Sequence, residues 1–556
     1  MSLHRVTSIT SYEQERHASP ARSVHTKMTF NPAGKNTMPD EAKETPVGGF
    51  EVSKFKRILQ VLIAVIYCLC SAGVVFGYAA IKPVLVQEGV YRHYCDGTYS
   101  TSDSDELGIC YGQEIRLNLM FTTAAVATNV CALPVGTLLD RFGPRISGLV
   151  GSVLLAIGSL LLAFAAQLPF DTYIAGYLFL ALGGPFIFIS SFQLSNSFPQ
   201  HSGLILALLT GAFDSSSAMF LFYRLTYSAS EQTFTPQKFF LVYLVVPICI
   251  FVVQIMVMPA NSYKTAGELI NHAKSIDNDD FLNDEDDVRT RAERYEHRDS
   301  IVNETISLLG KDGLKQEREE EKKKQISGVW GALHGRSALQ QIKTPWFVLI
   351  ALFTVVQMTR INYFVATIRT QYESLLDAGT AKTVNHFFDV ALPVGGLLSI
   401  PVIGLILDNT STTFCLAVLV SLATLIGILG VLPFVWAAYG NVVLFVLYRP
   451  LYYTAVSDYA AKVFGFQTFG KVYGLVICLA GILNFSQSAL DAATHRMFDN
   501  DPIPVNVILI ILGAVVGIAL VGYVWYRSRH MHRDTIEEEA EDATETPMPG
   551  APASQP

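Results

Sequence analysis

Charge is scarce in this chain: Lys, Arg, Asp and Glu make up 16% of its 556 residues, against about 25% in an ordinary soluble domain. That shortage excludes a solvent-covered globular protein. Eight cysteines are too few for a disulfide scaffold over this length, and none form a CxxC pair of the kind that holds a metal. The sequence has no GxxxxGK(S/T) loop, no HExxH, no GxSxG and no cluster of His and Cys ligands. A Walker-type ATP pump, a zinc protease and a serine hydrolase are therefore excluded, and no metal, cofactor or catalytic residue is expected. The net charge of −8 belongs to aqueous segments and offers nucleic acid no binding face.

What is abundant is apolar. Hydrophobic residues make up 51% of the chain, gathered in blocks of about 20, the length needed to cross a hydrocarbon core. Six blocks come first: Ile58–Ala80, Leu117–Leu139, Gly148–Ala166, Tyr173–Leu194, Leu204–Leu225 and Phe239–Met258. Six more follow: Phe347–Ile368, His386–Leu407, Thr413–Leu432, Val442–Asp458, Val472–Leu490 and Val505–Trp525. Between the sets lies a charged stretch, residues 261–340, containing DNDDFLNDEDD (277–287) and KQEREEEKKK (315–324). Nothing in it can sit in lipid; it reads either as a solvated linker or as a loop that binds a regulatory partner.

The expected layout is a disordered tail (1–53), a six-helix half (54–260), the linker (261–340), a second six-helix half (341–526) and a disordered tail (527–556). Residues 1–53 have no early apolar region and do not read as a signal peptide. Lys and Arg flank the first span (Lys54, Lys56, Arg57), follow the second (Arg141, Arg145), fill the linker and follow the twelfth (Arg527, Arg529, Arg533). The positive-inside rule then puts both tails and the linker in the cytosol. The loop after the first span faces outside or a lumen. It carries Cys95 and Cys110, which this compartment predicts to be disulfide-bonded. A plasma membrane and a vacuole-like endomembrane both fit.

The strongest local signal is GTLLDRFGPR (136–145), between the second and third spans. On its residues alone it is either a positive-inside anchor with a turn or a gate. It resembles the loop motif of the major facilitator superfamily. The resemblance implies an all-α membrane protein of twelve transmembrane helices in two six-helix halves. In that family this motif locks the halves on the cytosolic side when the carrier faces outward. Asp140, Arg141 and Arg145 are then expected gate residues. The matching place in the second half reads GLILDNTSTT (404–413), which keeps Gly404 and Asp408 but has lost the arginines. Further runs, SAGVVFGYAAI (71–81), TGAFDSSSAMF (210–220) and FGKVYGL (469–475), are similar to solute carrier family 43. That family contains facilitators of large neutral amino acids and an equilibrative nucleobase carrier, and the likeness extends to fungal carriers.

Polar residues inside the apolar blocks are the candidate substrate contacts, because each is costly in lipid unless it lines a cavity or finds a partner. Asp214 and Ser215 sit in the fifth span, with Asp214 able to bind an ammonium, a ring N–H or a proton, or to pair with a neighbouring helix. Arg360, Asn362 and Tyr363 sit in the seventh. Arg360 reads either as a clamp for a substrate carboxylate or as the partner of Asp214 or Asp389. Gly73 reads as packing or as a source of exposed carbonyls; Gln193 closes the fourth span; Tyr452 shares a face with Arg449 and reads as a stacking platform or an interfacial anchor. Asn484, Gln487 and Asp491 make one polar stripe on the eleventh. The expected function is alternating-access transport of a small organic solute. Facilitative uptake of large neutral amino acids comes first, with a nucleobase uniporter or a proton-coupled carrier as alternatives. A solute-sensing receptor with little flux is the reading from another class. The expected partners are the small-molecule substrate and the lipid bilayer.

Overall fold

A computed structural model describes residues 51–95, 111–264, 325–484, 486–498 and 501–545, together with 315, 318, 319 and 321–323 of the linker. In lipid every backbone polar group needs a partner, and a helix supplies one within each segment. The described chain is accordingly helical. The first span, Lys54–Gln87, is broken by a 3-10 turn at Val74–Gly77. Residues 115–163 form a long hairpin that holds spans two and three. Thr172–Ser197, Pro199–Ala229 and Pro236–Met256 complete the first half. Pro345–Leu375, the bent Ala378–Asn409, Thr412–Gly430, Val435–Phe464, the broken pair Phe469–Leu483 and Ser486–Met497, and Ile503–Met531 make the second.

Eight of these segments are long and apolar enough to be recognised as spans unaided. The other three differ for visible reasons. The eighth span is bent, the tenth is diluted by Asn441, Arg449 and its tyrosines, and the eleventh is broken. With the hairpin counted twice, the architecture is twelve helices in two halves of six.

Capping side chains sit at aqueous ends, where the first N–H groups of a helix lack partners. Ser53, Asp171, Asp377 and Ser411 each accept a bond from the backbone three residues on. Small residues let neighbouring spans approach closely: Gly151 and Gly158 of the third pack on Gly183 and Gly176 of the fourth. Large apolar side chains such as Leu397, Leu398, Val402 and Leu405 of the eighth, and Ile508, Val515 and Ile518 of the twelfth, point outward.

Two expectations about the polar segments change. The twelfth helix runs Ile503–Glu545, so residues 527–545, read from sequence as a disordered tail, are helical. The end of the linker is docked on the second half. Gly331 N–H donates to Lys462 O at 2.9 Å and Leu333 N–H to Val463 O at 3.0 Å, with Val329 and Leu333 buried.

The hairpin of spans two and three turns on Gly143, whose φ of 81° and ψ of 173° are open to glycine alone. A Cβ there would also meet the Ala260 carbonyl. Gly143→Ala is expected to destabilise the protein by about 1–3 kcal/mol, read as a lower thermal unfolding midpoint of the purified protein. An unchanged midpoint would contradict this account of the turn.

Candidate transport pathway and cytosolic gate

The two halves meet through a pair of matching clamps. Asp140, at the end of the second span, reaches the start of the helix Phe469–Leu483. Its Oδ1 accepts the Gly470 N–H at 2.9 Å and its Oδ2 the Lys471 N–H at 2.8 Å. Asp408, at the end of the eighth span, does the same to the helix Ser202–Ser215. Its Oδ1 accepts Gly203 N–H at 2.9 Å and its Oδ2 accepts Leu204 N–H at 3.1 Å. Each carboxylate thus takes the N–H groups of the second and third residues of a helix in the other half. These groups have no partner of their own, and the helix dipole favours an anion there. One turn before each acid stands a glycine that lets the helices touch: Gly136 packs on Gly470, and Gly404 on Leu204. The close packing continues from Ala132 to Gly474 and from Asn129 to Gly481.

The arginines of the first motif do not join this contact. Arg145 donates from Nη2 and Nε to Met258 O, at 2.7 and 3.2 Å, and so holds the end of the sixth span. Arg141 is exposed and lies over the Phe142 ring at 5.3 Å. A lysine that composition assigned to solvent does join. Lys323 of the linker reaches Asp408 Oδ1 at 2.8 Å and Ser202 Oγ at 3.0 Å, and is buried. Burial pulls its ammonium below the usual lysine range, against the upward pull of Asp408. Beside it the buried pair Asp458–Lys462 (2.6 Å) extends the cluster, with Lys462 Nζ donating to Leu407 O at 3.2 Å. The signal in the sequence was the cationic end of KQEREEEKKK, which was indistinguishable there from a solvated helix.

Deeper in the membrane a second interaction crosses the halves. Asp214 Oδ1 of the fifth span lies 3.5 Å from Arg449 Nη2 of the tenth, with side chains 7% and 17% exposed. Tyr453 stands one turn after Arg449, beside the pair. The pair is incomplete: among the described residues Asp214 Oδ1 and Arg449 Nε have no hydrogen-bond partner. Gly396 of the eighth span faces Asp214. The adjoining Phe213 packs on Phe188 and Phe76, ring centroids 4.6 and 5.7 Å away, and all three rings are half-buried.

The remaining candidates scatter. Ser215 is buried beside Asp214 with its hydroxyl unpartnered among the described residues. Gly73 packs against the fifth span, its N–H donating to Ser216 Oγ at 2.7 Å and its carbonyl accepting from Phe76 N–H at 3.0 Å. Gln193 lines a small cavity with Tyr67 and Gln254, between spans one, four and six. Tyr452 is fully buried and donates to Thr354 O at 2.8 Å, whereas Tyr453 keeps a partly open face. Tyr363 is buried with its hydroxyl 2.8 Å from Thr494 Oγ1, and Asn362 is half-buried beside it. Arg360 pairs with neither Asp214 nor any other carboxylate among the described residues; it points at Gly427 and Ile510 inside the second half. The side chains of Asp389 and Asp491 lie outside the described residues. Cys95 is disulfide-bonded and the six cysteines within the spans are free, while Cys110 lies outside the described residues.

Comparison with known proteins follows the same outline. The Major Facilitator Superfamily profile matches residues 63–486. Protein FMP42 of Saccharomyces cerevisiae is 46% identical, covering 84% of this chain and 94% of its own. Equilibrative nucleobase transporter 1 of Bos taurus is 24% identical over 82% of this chain and 93% of its own. Large neutral amino acids transporter small subunit 3 of Mus musculus is 35% identical over a shorter stretch, 30% of this chain and 31% of its own. Among solved structures, the proton:xylose symporter XylE superposes with a TM-score of 0.54 at 12% identity, covering 85% of this chain and 97% of the other, a likeness of fold.

The clamps generate a measurable expectation. Cys131 is a buried free thiol beside Cys478 at the contact of spans two and eleven. Hydrogen bonds to a charged acceptor contribute about 1.5–3 kcal/mol each. Asp140→Asn and Asp408→Asn should therefore each raise the alkylation rate of Cys131 by a membrane-impermeant maleimide roughly tenfold. Lys323→Gln should raise it less, since it loosens Asp408 without removing it. Rates unchanged in both aspartate variants would mean that the clamps do not hold this face shut.

Proposed function

The chain belongs to the major facilitator superfamily, and from that premise we propose that it carries large neutral amino acids by facilitative alternating access, anchored at the Asp214–Arg449 pair. Transport of a small solute, rather than catalysis, is what the family does, and the superfamily fold embeds it in a bilayer. The finer reading rests on one observation: a buried anion and cation face each other across the two halves at 3.5 Å, each with an unmet hydrogen-bonding atom among the described residues. An amino-acid zwitterion presents the complementary charges. Its ammonium replaces Arg449 at Asp214, and its carboxylate replaces Asp214 at the Arg449 fork. The partly open rings of Phe76, Phe188 and Phe213 give an apolar side chain a surface to cover.

Binding of this kind ties solute to conformation. The clamps close the cytosolic face around Asp140 and Asp408, so the described state is one in which solute reaches the pair from the other side. Uniport fits a charge pair that neutralises itself; a proton on Asp214 would leave Arg449 uncompensated. The basic residues Arg57, Arg145, Lys323 and Arg527 mark the cytosolic face, and the disulfide at Cys95 suits an oxidising compartment at the plasma membrane or a vacuole-like organelle.

A second reading, nucleobase carriage, is favoured by the nearly full-length match to the nucleobase carrier and by the flat aromatic trio. The two readings part at Arg449, which a neutral base does not need as a cation. In proteoliposomes, labelled leucine uptake should saturate, and Asp214→Asn and Arg449→Gln should each lower it at least tenfold, with the double variant no worse than either single one. Adenine uptake that survives Arg449→Gln, with no leucine uptake, would move the assignment to nucleobases. Flux of neither, in vesicles holding folded protein, would sink both and leave a solute-binding receptor.

A further inference from the structure

The second half encloses a cationic site that the proposed pathway does not use. Between spans seven, nine, ten and twelve lies a cavity of about 30 Å³ whose polar lining is Gln357, Arg360, Gln371, Asn441, Tyr448 and Asn506. It shares no residue with the Asp214–Arg449 pair. Arg360 Nη2 is fully buried and has no hydrogen-bond partner among the described residues, and no carboxylate among them pairs with the guanidinium. An arginine does not escape by losing its proton. A lone charge in the membrane interior costs several kcal/mol unless a counter-charge offsets it.

Of the other polar groups around the cavity, Gln357 supplies a donor and the rest are largely committed to one another. Gln357 Oε1 is taken by the Tyr448 hydroxyl at 3.2 Å, which leaves the Gln357 amide nitrogen, lying against Gly513 of the twelfth span, as a donor. Asn441 spends its nitrogen on Tyr372 at 2.9 Å, and its Oδ1 is a buried atom without a partner among the described residues. Asn506 donates to Gln371 Oε1 at 3.0 Å. No acidic side chain among the described residues lines the cavity. Its size decides what it can take. A water needs roughly 10–15 Å³ by the same measure, so there is room for about two waters or one compact monovalent anion, and none for an amino acid or a nucleobase.

We propose that this enclosure is a binding site for a small inorganic anion of the halide class, held by the Arg360 guanidinium and the Gln357 amide and neutralising the charge buried within the C-terminal half. The anion is a resident counter-ion, distinct from the transported solute, and the assignment stands whatever that solute is. Its occupancy ties the packing of spans seven, nine, ten and twelve to halide concentration, because a ligand that binds only the folded state stabilises it by mass action.

The test uses the purified full-length protein, with chloride exchanged for gluconate at constant ionic strength. The thermal unfolding midpoint is expected to rise with chloride and then saturate, by on the order of 2–4 °C, and bromide is expected to replace chloride. Arg360→Met, which keeps the length and removes the charge, should abolish the halide dependence and be at least as stable as the unsubstituted protein in gluconate. A midpoint independent of halide would overturn the proposal and leave a water-filled cavity. So would an equal chloride effect on Arg360→Met, which marks a general salt effect. Should that variant not fold, anomalous scattering from bromide-soaked crystals decides the matter: a peak between Arg360 and Gln357 supports the site, and its absence there at saturating bromide overturns it.

Discussion

A helix that starts at the junction of two halves presents unpaired N–H groups, and in this molecule each half satisfies the other's. Asp140 closes the helix that begins at Phe469, and Asp408 closes the one that begins at Ser202. Both carboxylates bind the same two positions of their helix, so the halves are joined by one device used twice. Its strength comes from charge meeting a helix dipole where water is scarce. Its reversibility comes from the same source. When the halves part, water can hydrate both the carboxylate and the helix end, so neither is left unsatisfied. A hydrophobic seal of equal area would lack that exchange.

The two clamps are alike in geometry and unlike in surroundings. Among the described residues Asp140 meets the helix end and the nearby Lys471. Asp408 also holds Lys323, at the edge of a buried cluster that includes Asp458 and Lys462. The second motif lost the arginines of the first, and a cation now comes from outside the spans. The segment bringing it is fastened by backbone bonds to the end of the tenth span and by Gln341, which donates to both Leu333 O and Phe464 O at 2.9 and 3.0 Å. The linker therefore ends against the Asp408 clamp.

Much of this was legible in the sequence. The span count follows from block length against bilayer thickness, and GxxxD at 136–140 and 404–408 marked both clamps. What the acids grip was hidden, because a backbone N–H has no letter: Gly470 and Gly203 look like ordinary glycines. The partner of Asp214 was hidden for another reason. Arg360 and Arg449 are both intramembrane cations, and only the fold says which faces the other half. Tyr452 and Tyr453 show how fine the distinction is. They are adjacent in sequence, yet one is fully buried against Thr354 and the other keeps a partly open face beside Arg449. Lys323 failed for a third reason. Composition reports the average environment of a charged run, whereas a single lysine at its edge can be buried.

The mid-membrane pair and the Asp408 clamp share their helices. The fifth span carries Asp214 at its centre and offers Gly203 N–H to Asp408 at its start, eleven residues away, or about 16 Å along a helix. The tenth carries Arg449, then Asp458 and Lys462 next to the same aspartate. Both spans are continuous helices between these points, apart from Pro450 in the tenth, so each moves largely as a rod. On the proposed reading, a solute entering between Asp214 and Arg449 lengthens their 3.5 Å separation, and the displacement is delivered to the two helices that reach Asp408. The eighth span, which supplies Asp408, also passes Gly396 beside Asp214. Three spans thus connect the charge pair to one clamp, while the Asp140 clamp stands on two others. Physical coupling between site and gate is therefore expected to run first through Asp408, the clamp that the linker also holds.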